Sequence, residues 1–248
     1  MKRITFIPKI MAVATIALLF TSCKYDIDLD LGGERVKGDG NVVTETRNND
    51  TPFTAIEVSR GLEVEVEQSS QKSITVIADK NLQGHISTKI SNGVLTITSD
   101  VNIDDASSKK IVVKLPNITS LQASSAAVIT GINTIKGQDI GLSTSSAGEM
   151  KLSIEADNVS AESSSGSSMK LKGKTLKLDT NTSSGSVIDA EQLLANDVIS
   201  EASSGSVAEV HPLVSLKADA SSGSNISYHN EPKNISKEAS SGGSVNKE

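Results

Sequence analysis

Seven Ser-Ser-Gly or Ser-Ser-Ala triplets punctuate the second half of the chain at almost equal intervals. Their third residues are Ala126, Ala147, Gly166, Gly185, Gly205, Gly223 and Gly242, spaced 21, 19, 19, 20, 18 and 19 residues apart. A fixed short period means a stack of similar units, each burying its apolar face against the next. Aligned on the triplet's third residue, the sequence resolves into columns. Seven positions before it stand Ile140, Val159, Leu178, Val198, Leu216 and Ile235. Three after it stand Ile129, Met150, Met169, Ile188, Ala208, Ile226 and Val245. Five after it stand Gly131, Leu152, Leu171, Ala190, Val210 and Tyr228. Three before it come only small residues, from Ala123 and Thr144 to Ala220 and Ala239. None of these residues is charged, and acids and lysines fall mostly between them.

Alternation with period two means strands with one face inward. A helical repeat needs apolar spacings of three and four, and Ser, Thr, Gly and Val are poor helix formers. The expectation is therefore all-β: a parallel β-helix or solenoid of about 20 residues per coil, each column a ladder rising ~4.8 Å per step. The triplets then read as tight bends, with small residues stacked where backbones approach. Reading the serines as nucleophiles would require a positioned base. The three histidines, His85, His211 and His229, do not recur with the repeat.

The region 38–116 lacks the triplet but keeps strand chemistry. Leu62-Glu-Val-Glu-Val-Glu67 alternates apolar and acidic residues strictly. Ser73–Ala78, Gly93–Ser99 and Ile111–Leu115 read as further strands. Ser91-Asn92-Gly93 signals a hairpin turn, and Asp79–His85 has room for one helical turn. This β-rich half is expected to cap the coils or continue them, hiding an open sheet edge. The organisation read from sequence is thus a signal peptide at 1–22, an acidic tether at 23–37, the β-rich region at 38–116 and the solenoid at 117–248.

The N-terminus reads as an export address. Lys2, Arg3 and Lys9 precede the eleven-residue apolar run Ile10–Phe20, too short to span a bilayer alone. Leu19-Phe20-Thr21-Ser22 then leads into the chain's one cysteine, Cys23. This resembles a bacterial lipobox, with Phe20 departing from the strict pattern, and makes Cys23 the expected lipidated residue and membrane anchor. Asp26, Asp28 and Asp30 resemble an outer-surface export signal, so the expected location is the outer membrane, facing the cell surface or else the periplasm.

Composition removes several functions. Two tyrosines, three phenylalanines and no tryptophan cannot line an aromatic cofactor pocket or a base-stacking platform. Loss of residues 1–22 removes three of 24 basic residues and none of 30 acidic ones, leaving −9. So acidic a chain does not seek nucleic acid. One cysteine permits no internal disulfide or thiolate zinc cluster, and no cofactor or metal site is expected. A β-helix polysaccharide enzyme would need paired carboxylates or clustered aspartates with a basic residue. All four arginines precede residue 61, and Asp157, Glu162, Asp179, Asp189, Glu201 and Asp219 are scattered over the coils. Catalytic residues are accordingly expected to be none.

The run Gly38-Asp-Gly-Asn-Val-Val-Thr-Glu-Thr-Arg47, then Phe53-Thr-Ala-Ile-Glu-Val-Ser59, then Gly61-Leu-Glu-Val resembles the opening of the head GIN domain family. That family is named for auto-transporter adhesins and is common in lipoproteins of Gram-negative bacteria. The resemblance extends over about residues 38–245. It implies an all-β fold of right-handed parallel β-helix character and no established catalytic residues. The function expected is a surface-anchored, non-catalytic binding or adhesion module for a glycan or a host or cell-surface protein. The alternatives are a structural or envelope-stress lipoprotein without a ligand and, further off, a polysaccharide-active enzyme. The oligomeric state is left open.

Overall fold

The computed structural model describes residues 34–248 apart from residue 49. The signal peptide, Cys23 and the acidic tether up to residue 33 lie outside the described residues. The expected fold is the one observed: an all-β parallel solenoid of about seven turns with ~19 residues per coil. Among the described residues the one helical element is a single 3-10 turn, Lys80–Leu82.

Five long bent strands form the regular stack: Val128–Thr144, Glu149–Ser163, Ser168–Thr182, Val187–Ala202 and Val207–Ala220. Each pairs in parallel with the next, so Ile129, Met150, Met169, Ile188 and Ala208 fall opposite one another. These residues are at most 1% exposed, and the columns headed by Ile140 and Leu152 are buried likewise as far as Leu216 and Val210. A single hydrophobic core runs from Phe53 to Tyr228 without interruption.

The Ser-Ser-Gly triplet is the corner of every coil. Its second and third residues both have positive φ, as at Ser165 (55°) and Gly166 (68°). The amide of the residue after the triplet donates to the first serine's carbonyl, as Ser186 N does to Ser183 O at 3.2 Å. Two left-handed central residues under such a bond make a type I′ pattern. The third residue's amide donates in turn to the second serine's carbonyl one coil further on. These bonds run in an unbroken file from Gly61–Ser125 to Gly223–Ser241 at 2.9–3.2 Å. A left-handed serine costs ~1–2 kcal/mol, and the file of amide bonds offsets it at each step.

Four of the seven triplets are followed by a serine, and each of these serines is buried. Ser186 Oγ lies 2.6 Å from Ser163 O and 2.8 Å from Ser183 O, Ser206 repeats the arrangement, and Ser224 Oγ donates to Ala202 O while accepting from the Ser221 amide. One hydroxyl thus ties its own turn to the coil before it, leaving no orphaned polar atom in the corner.

The first half enters this stack out of chain order. Ala55–Val58 lies between Val94–Ser99 and Ser120–Ala123, parallel to both. Glu63–Gln68 likewise lies between Lys109–Leu115 and Val128–Thr144. Ser59-Arg60-Gly61 is therefore a corner of the same kind, with φ of 59° at Arg60 and 65° at Gly61. Val58, Val64 and Val66 occupy the repeat's own columns, 65 residues before Ala123, Ile129 and Gly131 respectively. The glutamates that alternate along this strand meet lysines across it: Glu65 with Lys110 at 2.8 Å and Glu67 with Lys114 at 2.7 Å.

Antiparallel strands close this end. Val42–Thr46 pairs with Ser73–Asp79, which pairs with Lys109–Leu115, and Ile86–Ser91 forms the hairpin with Val94–Ser99 across Asn92-Gly93. The opening Gly38-Asp-Gly-Asn segment wraps the carboxylate of Asp79, which has no exposed surface. Asp79 accepts from the amides of Gly40 (2.9 Å), Ser107 (3.2 Å) and Ser108 (3.0 Å). Burial pushes its pKa up, and these amide bonds outweigh that and hold it below the ordinary value. A β-carbon on Gly38 would stand 2.1 Å from Asp79 Oδ2, so glycine is required there.

The other end is less covered. Asn234–Ala239 is exposed throughout, and Ile235 is 39% exposed although its column is buried in earlier coils. The column assignment stands, and among the described residues no further coil covers this one. Tyr228 fills the core just beneath, with Lys237 Nζ 3.1 Å from its hydroxyl and 5.2 Å from its ring centroid.

Candidate binding face

Between corners, side chains alternate in and out, and the outward ones form rails along the stack. Asn158, Lys177, Asp197, Ser215 and Asn234 make one rail, in register coil by coil. Ser160, Asp179, Ile199, Lys217 and Ser236 make a second, two positions on. Between them runs the backbone of the buried Val159–Leu178–Val198–Leu216 column, and the three together bound a groove of about 630 Å³. Ile199 (44% exposed) and Ile235 open apolar surface into it. Ser215 donates to Asp197 and Asn158 to Asp139, so neighbouring coils brace the first rail.

A second groove, about 560 Å³, follows another corner of the coils. Its wall carries a charge ladder: Glu155 lies 2.8 Å from Lys174 on one side and 3.2 Å from Lys136 on the other. The bonds from Lys174 and then Lys136 hold the Glu155 carboxyl below its usual range. Leu176, Leu194 and Leu213 stand 40–52% exposed beside it.

Of the acids weighed for catalysis, Glu201 and Asp219 stack on successive coils, with Glu162 in the same outward column beyond Asn181, whereas Asp179 lies in another column between Ser160 and Ile199. Asp157 points outward in a further column, and Asp189 is paired with Lys170. The sequence shows no ligand partners beside His211 or His229. The structure instead brings His229 to Glu191 and Glu209, with ligand atoms all within 4.8 Å, the one such trio among the described residues. The signal was present in the uneven spacings of 20 and 18, which shift Glu191 relative to the columns.

Fold and grooves together define a parallel β-solenoid protein that presents long, ladder-lined faces. The chain belongs to the head GIN domain family: the family described as "Putative auto-transporter adhesin, head GIN domain" matches residues 52–232. Three solved structures share the fold. A "putative adhesin" from Bacteroides fragilis has 14% identity and a TM-score of 0.81, covering 86% of this chain and all of that one. A "putative adhesin" from Parabacteroides merdae has 20% identity and a TM-score of 0.70, covering 87% and 99%. A "putative lipid binding protein" from Parabacteroides distasonis has 20% identity and a TM-score of 0.72, covering 87% and 100%. No curated protein matches the chain.

Proposed function

We propose that this protein is a surface-anchored, non-catalytic adhesion module, held to the outer membrane by a lipid on Cys23, whose larger groove takes an extended glycan. The observation that carries the reading is the pair of rails. On every coil but that of Ile199, a polar or charged side chain stands on either side of the strand backbone, Ile199 and Ile235 add apolar surface between, and the pattern repeats every ~4.8 Å. A sugar polymer offers the complement: hydroxyls at its edges, C–H faces between, and a repeat of its own. Hydrogen-bonding groups on a mostly apolar surface are what orient a small ligand. With no tryptophan and few aromatics, each site binds weakly, and adhesion draws on many copies per cell. The adhesin description of the family supports this role.

Glycan-array binding tests it. Wild-type protein is expected to bind at least one polymer class. Lys177→Ala with Asp179→Ala, which removes two hydrogen-bonding groups from the rails, is expected to weaken that binding roughly tenfold. Binding that ignores these substitutions removes the groove from the account. Binding to host proteins alone moves the ligand class. Binding to nothing leaves the envelope-structural role.

A further inference from the structure

The coil between Gly185 and Gly205 is one residue longer than its predecessor, and the next is two residues shorter than that. The extra length appears as a break in pairing. Asp189 is opposite Glu209, but the next paired residue is Leu194, opposite His211. Such a bulge re-aims the side chain that carries it. Ala190 keeps its place in the core with no exposed surface, while Glu191 turns outward. Two bonds hold it there. The Glu191 amide donates to Asp189 Oδ1 at 3.4 Å, and the Glu191 carbonyl accepts from His211 Nδ1 at 3.0 Å. A carbonyl can only accept, so that His211 nitrogen carries the proton.

The outcome is three side chains on three successive coils, Glu191, Glu209 and His229, with their ligand atoms within 4.8 Å of one another. His229 Nδ1 is 3.9 Å from Glu191 Oε1, beyond hydrogen-bond reach. His229 Nε2 is buried and has no hydrogen-bond partner. The ring is only 20% exposed, its Nδ1 faces Glu191, and no protein hydrogen bond fixes which of its nitrogens carries the proton. Charge points the same way. Lys170 is paired with Asp189 and also feels Glu191 and Glu209, so three carboxylates gather about one ammonium.

We propose that Glu191, Glu209 and His229 bind a divalent transition-metal cation of the zinc class. Imidazole with carboxylates suits zinc and its neighbours, whereas magnesium and calcium take oxygen ligands. Ligand bonds of about 2.1 Å place opposite ligands at most ~4.2 Å apart. Glu191, the exposed member, has the side-chain freedom to close the remainder. Three protein ligands leave a position open to water or to a donor group from a bound molecule. The ion ties three coils together next to the uncovered strand Asn234–Ala239, and so staples the less covered end of the stack.

Zinc titration by calorimetry on the full chain carrying Cys23→Ala, so that no thiol competes, tests the assignment. One zinc per chain is expected, with micromolar dissociation, a raised melting temperature and no comparable response to magnesium. Cobalt in place of zinc should give a visible absorption band that includes a nitrogen ligand. Glu209→Gln and His229→Gln should each weaken binding at least tenfold. If His229→Gln fails to fold, Glu191→Gln, altered at an exposed side chain, carries the same expectation. Absence of saturable zinc binding, or binding unchanged in these variants, overturns the proposal.

Discussion

Gly173→Ala is expected to destabilise the solenoid by ~3–5 kcal/mol, and Gly173→Ile to prevent folding. Gly173 falls in a column whose other members are Ile135, Ile154 and Leu193, all fully buried. Alignment of the repeats alone would make isoleucine a repair of a gap. The structure says the opposite. Gly173 has φ of +119°, and a β-carbon there would stand 2.0 Å from the carbonyl oxygen of Ile154 and 3.0 Å from its carbon. Those atoms are backbone, locked by ladder bonds to coils above and below, so nothing can rotate aside. Gly166→Ala is the control. It too has positive φ (68°), but open space surrounds it, and Ala126 and Ala147 already fill its column. It should cost ~1 kcal/mol. Urea unfolding followed by circular dichroism distinguishes the two. A Gly173→Ala variant within ~1 kcal/mol of wild type would mean that the coils do not approach as closely as described.

The second large effect is at the core columns. Leu171→Asp or Ile188→Asp places a carboxylate where the native residue has no exposed surface. An unpaired buried charge costs several kcal/mol, enough to consume most of a domain's stability. Either variant should lose the cooperative thermal transition. Asp189→Asn, one residue along the same strand and turned outward toward the exposed Lys170, should shift the melting temperature by only a few degrees, because an ion pair open to solvent on one side contributes little and asparagine keeps the shape. Equal behaviour of all three would contradict the inward and outward assignment.

Stacking explains which parts of this molecule were legible in the sequence. Every coil must rise by one strand spacing and return to the same column, so coil length and alternation are repeated almost without variation. Ile129 through Val245 could therefore be aligned by counting. The hairpin at Asn92-Gly93 was legible for a local reason, since its turn residues declare their own φ. Features that depend on long-range order were not. Ser59-Arg60-Gly61 does a corner's work, but 65 residues separate it from the next corner, and Arg60 disguises it. The order in which Ala55–Val58 slips between Val94–Ser99 and Ser120–Ala123 leaves no periodic trace. The Asp79 clamp needs three amides from two distant segments. Glu191 and His229 were missed because a one-residue bulge, invisible to residue type, decides where Glu191 points. The binding rails lie between these extremes: the sequence placed polar residues beside each apolar column, and the three-dimensional stack turned them into a groove.

Adhesion requires presentation of this solenoid outside the cell, and protease treatment of intact cells tests that most directly. The wild-type chain should be digested from outside while periplasmic proteins stay whole, and a Cys23→Ala variant should no longer be displayed. Protection of the wild-type chain until the outer membrane is broken would place it facing the periplasm and contradict the adhesion reading.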